Sequence, residues 1–300
     1  MQRPTLPVPD ATGVYTFPDD LVHAHHAHQH ELARRLDAGD SAILHVTAPY
    51  GGRRYLIEER RPSGRPVIAI EPHHDDLALS ASGMLLSRPR PLTVITVFTR
   101  TVSTHSSVLA RHSGEATISA LRARESRQAL RPLRAQQRLL GYADARPPYR
   151  SYDMDVLERV TADLEHVIGE FHARPESRDA ELLAPAAVTR HPDHLLIHEA
   201  ARRVGCRWFW DDLAFWQTYA LSADDRHLFD IRVGDELTPE LTDITGALLD
   251  KLTLLYLHGS QLQPTHAMYR PLRYAWTTAA ELRPVAGPGR FAERSYRRNP

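Results

Sequence analysis

Cysteine is almost absent from this chain of 300 residues, since Cys206 is the only one. An internal disulfide is therefore excluded, and so are zinc sites built from several thiolates. A single cysteine can be a catalytic thiol, but it is more often a small packed hydrophobic side chain. We interpret Cys206 in the second way.

Net charge and long apolar runs are also lacking. The 37 basic and 37 acidic residues cancel, which gives no general attraction to nucleic acid or to an anionic membrane surface. No window approaches 18 uninterrupted apolar residues, so no membrane span is predicted. The first residues, MQRPTLPVPDATG, have neither the basic start nor the apolar core of a signal peptide. A cytoplasmic protein is the expectation.

What the chain does contain is the composition of an ordinary globular protein, with 42% hydrophobic and 25% charged residues. From residue 65 onward, a strand (67–70), a helical segment (77–87) and a β-branched strand (91–100) follow one another with short connections. This order is the βαβ unit of a parallel sheet. We therefore predict an α/β domain over residues 65–300 and an N-terminal extension over residues 1–64.

Further elements follow from the residue pattern. In the extension, a helix ends near Gly39, and two strands flank a turn at 49–52. In the domain, the pattern predicts a buried strand at 181–188, helices at 118–142 (divided or kinked at Pro132), 154–173, 194–205 and 238–258, and an irregular Arg-rich end over the last thirty residues.

The predicted N-terminal helix is rich in histidine and contains His23, His25, His26, His28 and His30. Two of them, His26 and His30, are four residues apart and would share one helix face. No carboxylate or cysteine joins them to fix a metal geometry. A solvated helix is therefore favoured over a metal site.

Two clusters of polar residues follow predicted parallel strands. PHHDD (72–76) follows the strand VIAI, and HPDH (191–194) follows the strand at 181–188 and opens a helix, where Pro192 suits the first turn. Ligands of open parallel sheets bind beyond the carboxyl ends of the strands. Buried carboxylates are costly without a positive charge nearby. The two clusters are therefore candidates for one shared site.

The residue types in these clusters fit a mononuclear catalytic zinc, which takes three protein ligands and keeps one position for water. The predicted ligands are His73, Asp76 and His194. Asp75 would remain beside the metal, where a general base takes a proton from water. His191 would stabilise a developing oxyanion, and Asp193 would orient an imidazole.

These motifs resemble those of the PIG-L/LmbE-like family of metal-dependent de-N-acetylases. Members carry (P/A)-H-P-D-D-E after the first strand and a later H-P-D-H, and this chain reads PHHDDL and HPDH. Four more segments are similar to family segments in the same order: LRARESRQAL (121–130), LLGYAD (139–144), WDDLAFW (210–216) and KLTLLYLHGSQL (251–262). The resemblance covers roughly residues 65–265.

The resemblance implies a Rossmann-like (LmbE-like) α/β fold, with a mostly parallel sheet flanked by helices, and hydrolysis of an N-acyl amine, usually on a sugar. It implies the same metal ligands, general base and supporting residues. By matching position it also implies substrate contacts for Arg122 and Asp144. Two positions depart from the pattern. His74 replaces the family's proline and offers a rival ligand, and Leu77 replaces its glutamate and removes a supporting carboxylate.

We therefore predict a zinc-dependent hydrolase that removes an N-acetyl group from an amino sugar or glycoside in secondary metabolism. The same ligands are compatible with Fe²⁺ or another divalent metal. The ligand motifs do not distinguish this substrate from a thiol conjugate or another small-molecule amide. Leu77 also leaves open a metal-binding relative without hydrolytic activity. The expected partner is a small-molecule N-acyl substrate, and a homo-oligomer is left open.

Overall fold

The structure is a computed structural model that describes residues 19–144, 153–188, 191–212, 229, 236–262, 264–279 and 291–299. Within these ranges the α-helices are α1 (Asp19–Asp37), α2 (Asp76–Ser80), α3 (Ser82–Ser87), α4 (Ser107–His112), α5 (Glu115–Leu130), α6 (Met154–His172), α7 (Pro192–Arg203), α8 (Leu248–Leu257) and α9 (Pro264–Thr278). The strands are β1 (Ile43–Thr47), β2 (Arg54–Glu58), β3 (Val67–Glu71), β4 (Leu92–Arg100), β5 (Gln136–Ala143), β6 (Glu181–Pro185), β7 (Trp208–Trp210), β8 (Leu237–Asp243) and β9 (Ala292–Arg298). None of these helices is both long and apolar enough to cross a membrane.

The central sheet has seven strands in the order β5-β4-β3-β6-β7-β9-β8. The neighbours from β5 to β7 are parallel, and β9 is antiparallel to both β7 and β8. The predicted α/β fold with a mostly parallel sheet is therefore confirmed. The chain leaves β3 toward β4 and β5 on one side, and later fills the other side with β6 and β7. The strand order thus reverses between β3 and β6.

Strand β3 is buried on both faces, which explains its uninterrupted apolar run. Ile68 and Ile70 pack in one apolar cluster with residues of α6 and α7. Val67 and Ala69 point the other way, into a second cluster with residues of α3 and α8. Successive side chains of β3 thus point into two different apolar clusters, so the strand lies between them at the centre of the molecule.

The extension packs on the rest of the protein through its β1–β2 hairpin. Val46 and Ile57 of the hairpin belong to the same apolar cluster as the β3 residues. The side-chain amide of Gln29, on α1, pairs with both backbone groups of Leu56, at 2.8 and 2.7 Å. The described part of the extension therefore shares a core with the domain, and the boundary at residues 64 and 65 stays a prediction.

The helix predicted at 118–142 is correct only for its first half. Helix α5 ends at Leu130, and Pro132 lies in a short 3₁₀ turn. Arg134 then takes a left-handed backbone conformation with φ of 50°, which redirects the chain into β5. Proline cannot supply the N–H that a continuing helix needs, so the helix stops here rather than kinks.

Three other predictions need correction at residue level. The helix predicted at 77–87 is broken at Ala81 into α2 and α3, where Glu293 accepts the N–H groups of Gly83 and Met84 at the start of α3. The helix predicted at 238–258 begins as strand β8. The last thirty residues, expected to be irregular, contain the end of α9 and strand β9. The predicted hairpin and the helices at 154–173 and 194–205 are confirmed.

Candidate metal centre

Strand β3 delivers the first polar cluster to the carboxyl edge of the sheet. Directly after it, the backbone N–H of His73 donates to Asp76 Oδ2 at 2.7 Å, which closes a tight turn into α2. The same turn places the two side chains together, with His73 Nδ1 at 3.1 Å from Asp76 Oδ2. Local chain geometry therefore assembles two of the predicted ligands.

Strand β6 delivers the second cluster. His191 caps α7, because its Nδ1 accepts the N–H of Asp193 at 3.3 Å, and Pro192 occupies the first turn as expected. Asp193 and His194 are buried in that turn. Since β3 and β6 are parallel neighbours, both clusters emerge at the same edge, where the strand order reverses and ligands bind in such sheets.

The two clusters meet at the place between β3 and β6 where the strand order reverses, which we call the switch point. His194 Nε2 lies 3.3 Å from Asp76 Oδ1, and one ligand atom from each of His73, Asp76 and His194 lies within 4.8 Å of the others. A second group with this property shares His73 and adds His191 and Asp193. In the described part of the chain, no histidine of α1 joins a group of this kind.

Asp212, which the sequence analysis did not identify, holds His194 from the far side. Asp212 Oδ2 lies 2.6 Å from His194 Nδ1, and Oδ1 accepts the N–H of Val188 at 2.7 Å. A carboxylate on Nδ1 fixes the tautomer and turns Nε2 toward the cluster. The segment WDDLAFW contained the signal, but no spacing rule connects it to His194. Residues 213–216 of that segment lie outside the described residues.

Opposite charges dominate the electrostatics of the cluster. Burial opposes ionisation of Asp76, yet His194 and His73 outweigh it and hold the pKa of this carboxyl well below its usual range. Burial also opposes protonation of His73, but Asp76 and Asp193 raise its pKa to about 9. Asp76 likewise raises the pKa of His194 well above its usual value despite burial. His191 differs, since burial and the two neighbouring imidazoles lower its pKa to about 3. The carboxylates thus favour positive charge at this point.

The donor chemistry fits a divalent metal of the zinc type. Two imidazoles and one carboxylate are the ligands of many catalytic zinc sites, and each imidazole also has an outer carboxylate, Asp193 for His73 and Asp212 for His194. The lone thiol takes no part. Cys206 is buried in the core, and burial raises its pKa to about 12.

Asp75 lies beside the cluster and is held by helix α5. Arg122 Nη2 donates to Asp75 Oδ1 at 2.6 Å, and both side chains are buried. One turn further along α5, Glu125 accepts the N–H and the hydroxyl of Ser260 at 2.8 and 2.6 Å. One face of α5 therefore connects the loop after β3 to the turn at 258–261. The predicted contact between Arg122 and substrate stays a prediction.

The two departures from the family motif have visible consequences. Leu77 packs in the core, and its N–H donates at 3.3 Å to Glu71, which also accepts the Thr96 hydroxyl. Burial raises the pKa of Glu71 to about 8. A carboxyl group is thus present at this loop, supplied by β3. His74 is buried, its ring nitrogens have no hydrogen-bond partner among the described residues, and it belongs to neither ligand group found there.

Asp144 lies at the same carboxyl edge, after β5. Its side chain accepts a hydrogen bond from the Thr101 hydroxyl, and its N–H donates to the carbonyl of Arg100 at 3.0 Å. Thr101 directly follows β4. Asp144 therefore lies on the β4–β5 side of the switch point, and its predicted contact with substrate stays a prediction.

Known proteins are similar to this chain in sequence. A family model described as PIG-L, GlcNAc-PI de-N-acetylase, matches residues 68–204. The chain is 35% identical over 224 residues to a 2'-N-acetylparomamine deacetylase of Streptomyces fradiae, covering 68% of this chain and 76% of that protein.

Solved structures are similar at the level of the fold. A40926 pseudoaglycone deacetylase Dbv21 superposes with a TM-score of 0.56 at 24% identity, covering 78% of this chain and 96% of the other. The 4-carboxy-2-hydroxymuconate hydratase GalB of Pseudomonas putida gives 0.52 at 15% identity, covering 78% and 95%. Because the second catalyses a different reaction, the fold alone does not identify the chemistry. The sequence relative and the matched family model do identify the family, and this chain belongs to the PIG-L family of metal-dependent de-N-acetylases.

Proposed function

We propose that this protein is a zinc-dependent hydrolase that removes an N-acetyl group from an amino sugar or glycoside in secondary metabolism. The observation that carries the proposal is the meeting of His73, Asp76 and His194 at the switch point, with Asp75 beside them. The Streptomyces fradiae relative, a 2'-N-acetylparomamine deacetylase, supports the substrate class.

In this proposal the metal is held by His73, Asp76 and His194. When bound, the cation supplies Lewis acidity, which polarises the acetyl carbonyl and lowers the pKa of water to roughly 7. Zinc suits these ligands best, and Fe²⁺ is compatible with the same donors.

Asp75 is the proposed general base and acid. It accepts a proton from the attacking water and returns one to the nitrogen as the amide C–N bond breaks, so that the products are acetate and a free amine. Arg122 fixes one carboxylate oxygen of Asp75. This contact holds the other oxygen in a constant direction, which proton transfer requires.

His191 and Asp193 have supporting roles in the proposal. Asp193 accepts a hydrogen bond from Nε2 of His73, which keeps the proton there and leaves Nδ1 as the ligand atom. His191 Nδ1 accepts the N–H of Asp193, so the proton of the neutral ring is on Nε2. That N–H is the group we assign to the oxyanion of the tetrahedral intermediate. For the sugar hydroxyls we propose contacts from Asp144 and from the remaining donors of Arg122.

The experiment is an acetate-release assay on purified protein, stripped of metal and reconstituted with Zn²⁺ or Fe²⁺. The substrates are N-acetylglucosamine, N-acetylglucosaminyl glycosides of cyclitols, and N-acetylated thiol conjugates. We expect turnover of the sugar substrates only. Asp75→Asn should retain bound zinc and lose about 10²–10⁴-fold in kcat.

Each other outcome has a defined meaning. Turnover of thiol conjugates alone would show that the substrate is a small-molecule amide of that kind and not an N-acetyl sugar. Zinc binding without acetate from any amide would indicate a metal-binding relative without hydrolytic activity. Turnover at the wild-type rate by Asp75→Asn would show that Asp75 is not the general base.

A further inference from the structure

Asp75 lies at a chain position whose side chain normally serves a helix. It is the N-cap residue of α2, and an aspartate there usually accepts the backbone N–H of the second or third helical residue. In this protein Asp75 makes no capping hydrogen bond, and its carboxylate binds Arg122 instead. The N–H of Leu77, the second residue of α2, therefore needs another acceptor.

Glu71, the last residue of β3, is that acceptor. Its Oε2 accepts the N–H of Leu77 at 3.3 Å. Its Oε1 accepts the hydroxyl of Thr96, the residue paired with it on β4, at 2.7 Å. Both carboxyl oxygens thus have a partner within the protein. Glu71 is 1% exposed, so its side chain does not contact substrate.

The hydrogen bonds continue from Thr96 to helix α5. The side-chain amide of Gln137, on β5, donates to Thr96 Oγ1 at 3.2 Å and to Ser126 Oγ at 2.8 Å. Ser126 is four residues after Arg122 on α5, so the two side chains share one helix face. One series of hydrogen bonds therefore connects the first turn of α2 to the helix whose arginine holds Asp75.

A carboxyl group buried on a central strand is costly, and an apolar residue would serve the core of β3 better. The two hydrogen bonds of Glu71 serve the loop after the strand instead. Without Glu71, the Leu77 N–H would draw the carboxylate of Asp75, because aspartate is among the preferred N-cap residues. The backbone of Asp75 is helical, with φ −113° and ψ −11°, and not extended as in a typical capping residue. This conformation agrees with a side chain released from capping.

We propose that Glu71 is a positioning residue for Asp75: it caps α2 in place of Asp75 and so leaves that carboxylate to Arg122 and to proton transfer. The inference rests on the proposed function, in which Asp75 is the general base. Glu71 belongs to neither group of possible metal ligands in the described part of the chain. It therefore acts on the reaction through Asp75 and not through the metal.

The test compares Glu71→Met, Glu71→Ala and Glu71→Gln in the zinc-loaded protein by acetate release, zinc content and denaturation midpoint. Methionine fills the space without an acceptor for the Leu77 N–H, and alanine covers the case in which the Met variant does not fold. We expect both to lower kcat by about 10- to 100-fold, with KM and zinc content unchanged, because a displaced base impairs only the chemical step. Glu71→Gln keeps a carbonyl oxygen for the Leu77 N–H, so its kcat should stay near wild type.

Ser82→Ala is the matched control. The buried Ser82 hydroxyl donates to the carbonyl of Ala78 at 2.7 Å and joins α2 to α3 at the other end of the same segment. This variant should have a lower denaturation midpoint and an unchanged kcat. Loss of kcat in Ser82→Ala as large as in Glu71→Met, or a Gln variant as poor as the Met variant, would reduce Glu71 to a structural contact and overturn the inference.

Crystal structures of the zinc-loaded variants give a readout that needs no turnover. In Glu71→Met we expect an oxygen of Asp75 at about 3 Å from the Leu77 nitrogen and no bond to Arg122, whereas Glu71→Gln should keep Asp75 on Arg122. This result supports the capping role even if wild type releases no acetate, which would be a failure of the proposed function alone. Asp75 bound to Arg122 in every variant contradicts the inference.

Discussion

Arg122 and Asp75 form a buried ion pair, with Nη2 of the guanidinium 2.6 Å from Oδ1 of the carboxylate. The two residues come from helix α5 and from the loop after β3, which are separated by strand β4 in the chain. Their contact explains why an arginine on α5 is needed by a site whose other groups follow β3 and β6. It also gives Arg122 a function that requires no substrate.

Replacing Arg122 by alanine should therefore impair catalysis without affecting metal binding. A general base displaced by about 1 Å can cost roughly 10²-fold in rate, and an unpaired buried carboxylate costs about 3–5 kcal/mol of stability. We expect kcat to fall by about that factor, with zinc content unchanged and a lower denaturation midpoint. Arg124→Ala, at an exposed position of the same helix, is the control. Unchanged kcat in Arg122→Ala would show that the pair is only structural.

Asp212→Asn should weaken metal binding specifically. Its carboxylate holds His194 Nδ1 at 2.6 Å, and loss of such an outer partner typically costs 10–100-fold in metal affinity. Competition with a chelator measures the change in the dissociation constant for zinc. Asp211→Asn is a matched control, because Asp211 accepts the Tyr296 hydroxyl instead. The same zinc affinity in both variants would contradict the assigned role.

Lys251, the one lysine of the chain, should be important for stability. It pairs with Glu293, and each residue is 1% exposed. Lys251→Met leaves a buried carboxylate without its cation, which we expect to lower the free energy of unfolding by about 3–5 kcal/mol. Adding Glu293→Gln should restore part of the lost free energy of unfolding. Chemical denaturation measures both variants, and additive losses in the double variant would mean that the pair contributes nothing as a pair.

His25 should make the protein less stable at mildly acidic pH. It is buried against Thr253, with Nε2 at 2.9 Å from Oγ1, and burial together with repulsion from His28 and His26 lowers its pKa to about 4. In the unfolded chain the pKa of this histidine is higher, about 6.5. The contribution of neutral His25 to the free energy of unfolding is therefore complete above pH 6.5 and is lost as the pH falls toward 4. The loss amounts to about 3 kcal/mol at most.

Denaturation curves of wild type and His25→Gln between pH 4 and 7 measure this effect. The difference in their free energy of unfolding should change across that interval, with wild type losing more on acidification. Parallel pH profiles would show that His25 does not titrate with folding.

The centre of the fold and the site was predictable because two signals agree there. The apolar run of β3 is required by burial on both faces, and the polar residues at 72–76 and 191–194 can be buried only if they share a charge. Asp212 was not predictable in the same way. It reaches His194 through the pairing of β6 with β7, and that pairing leaves no periodic trace in the sequence.

Most of the errors concern the outer strands of the sheet. Strand β5, an edge strand, exposes Leu139, so its two leucines fit a helical pattern as well as a strand. Strand β8 is the other edge and contains Pro239, which an edge position tolerates. Strand β9 reads AERSYRR, and its buried acidic residue, Glu293, is compensated by distant partners: Lys251, 42 positions away, and the N–H groups of Gly83 and Met84. Patterns within a window of residues carry no information on such partners.

The most direct test of the central claim is a zinc-edge anomalous difference map from crystals of the zinc-loaded protein. We expect one strong peak at about 2.0–2.2 Å from a nitrogen of His73, an oxygen of Asp76 and a nitrogen of His194. A peak between His191 and Asp193 on the other side of His73, or no peak in this cluster, would contradict it.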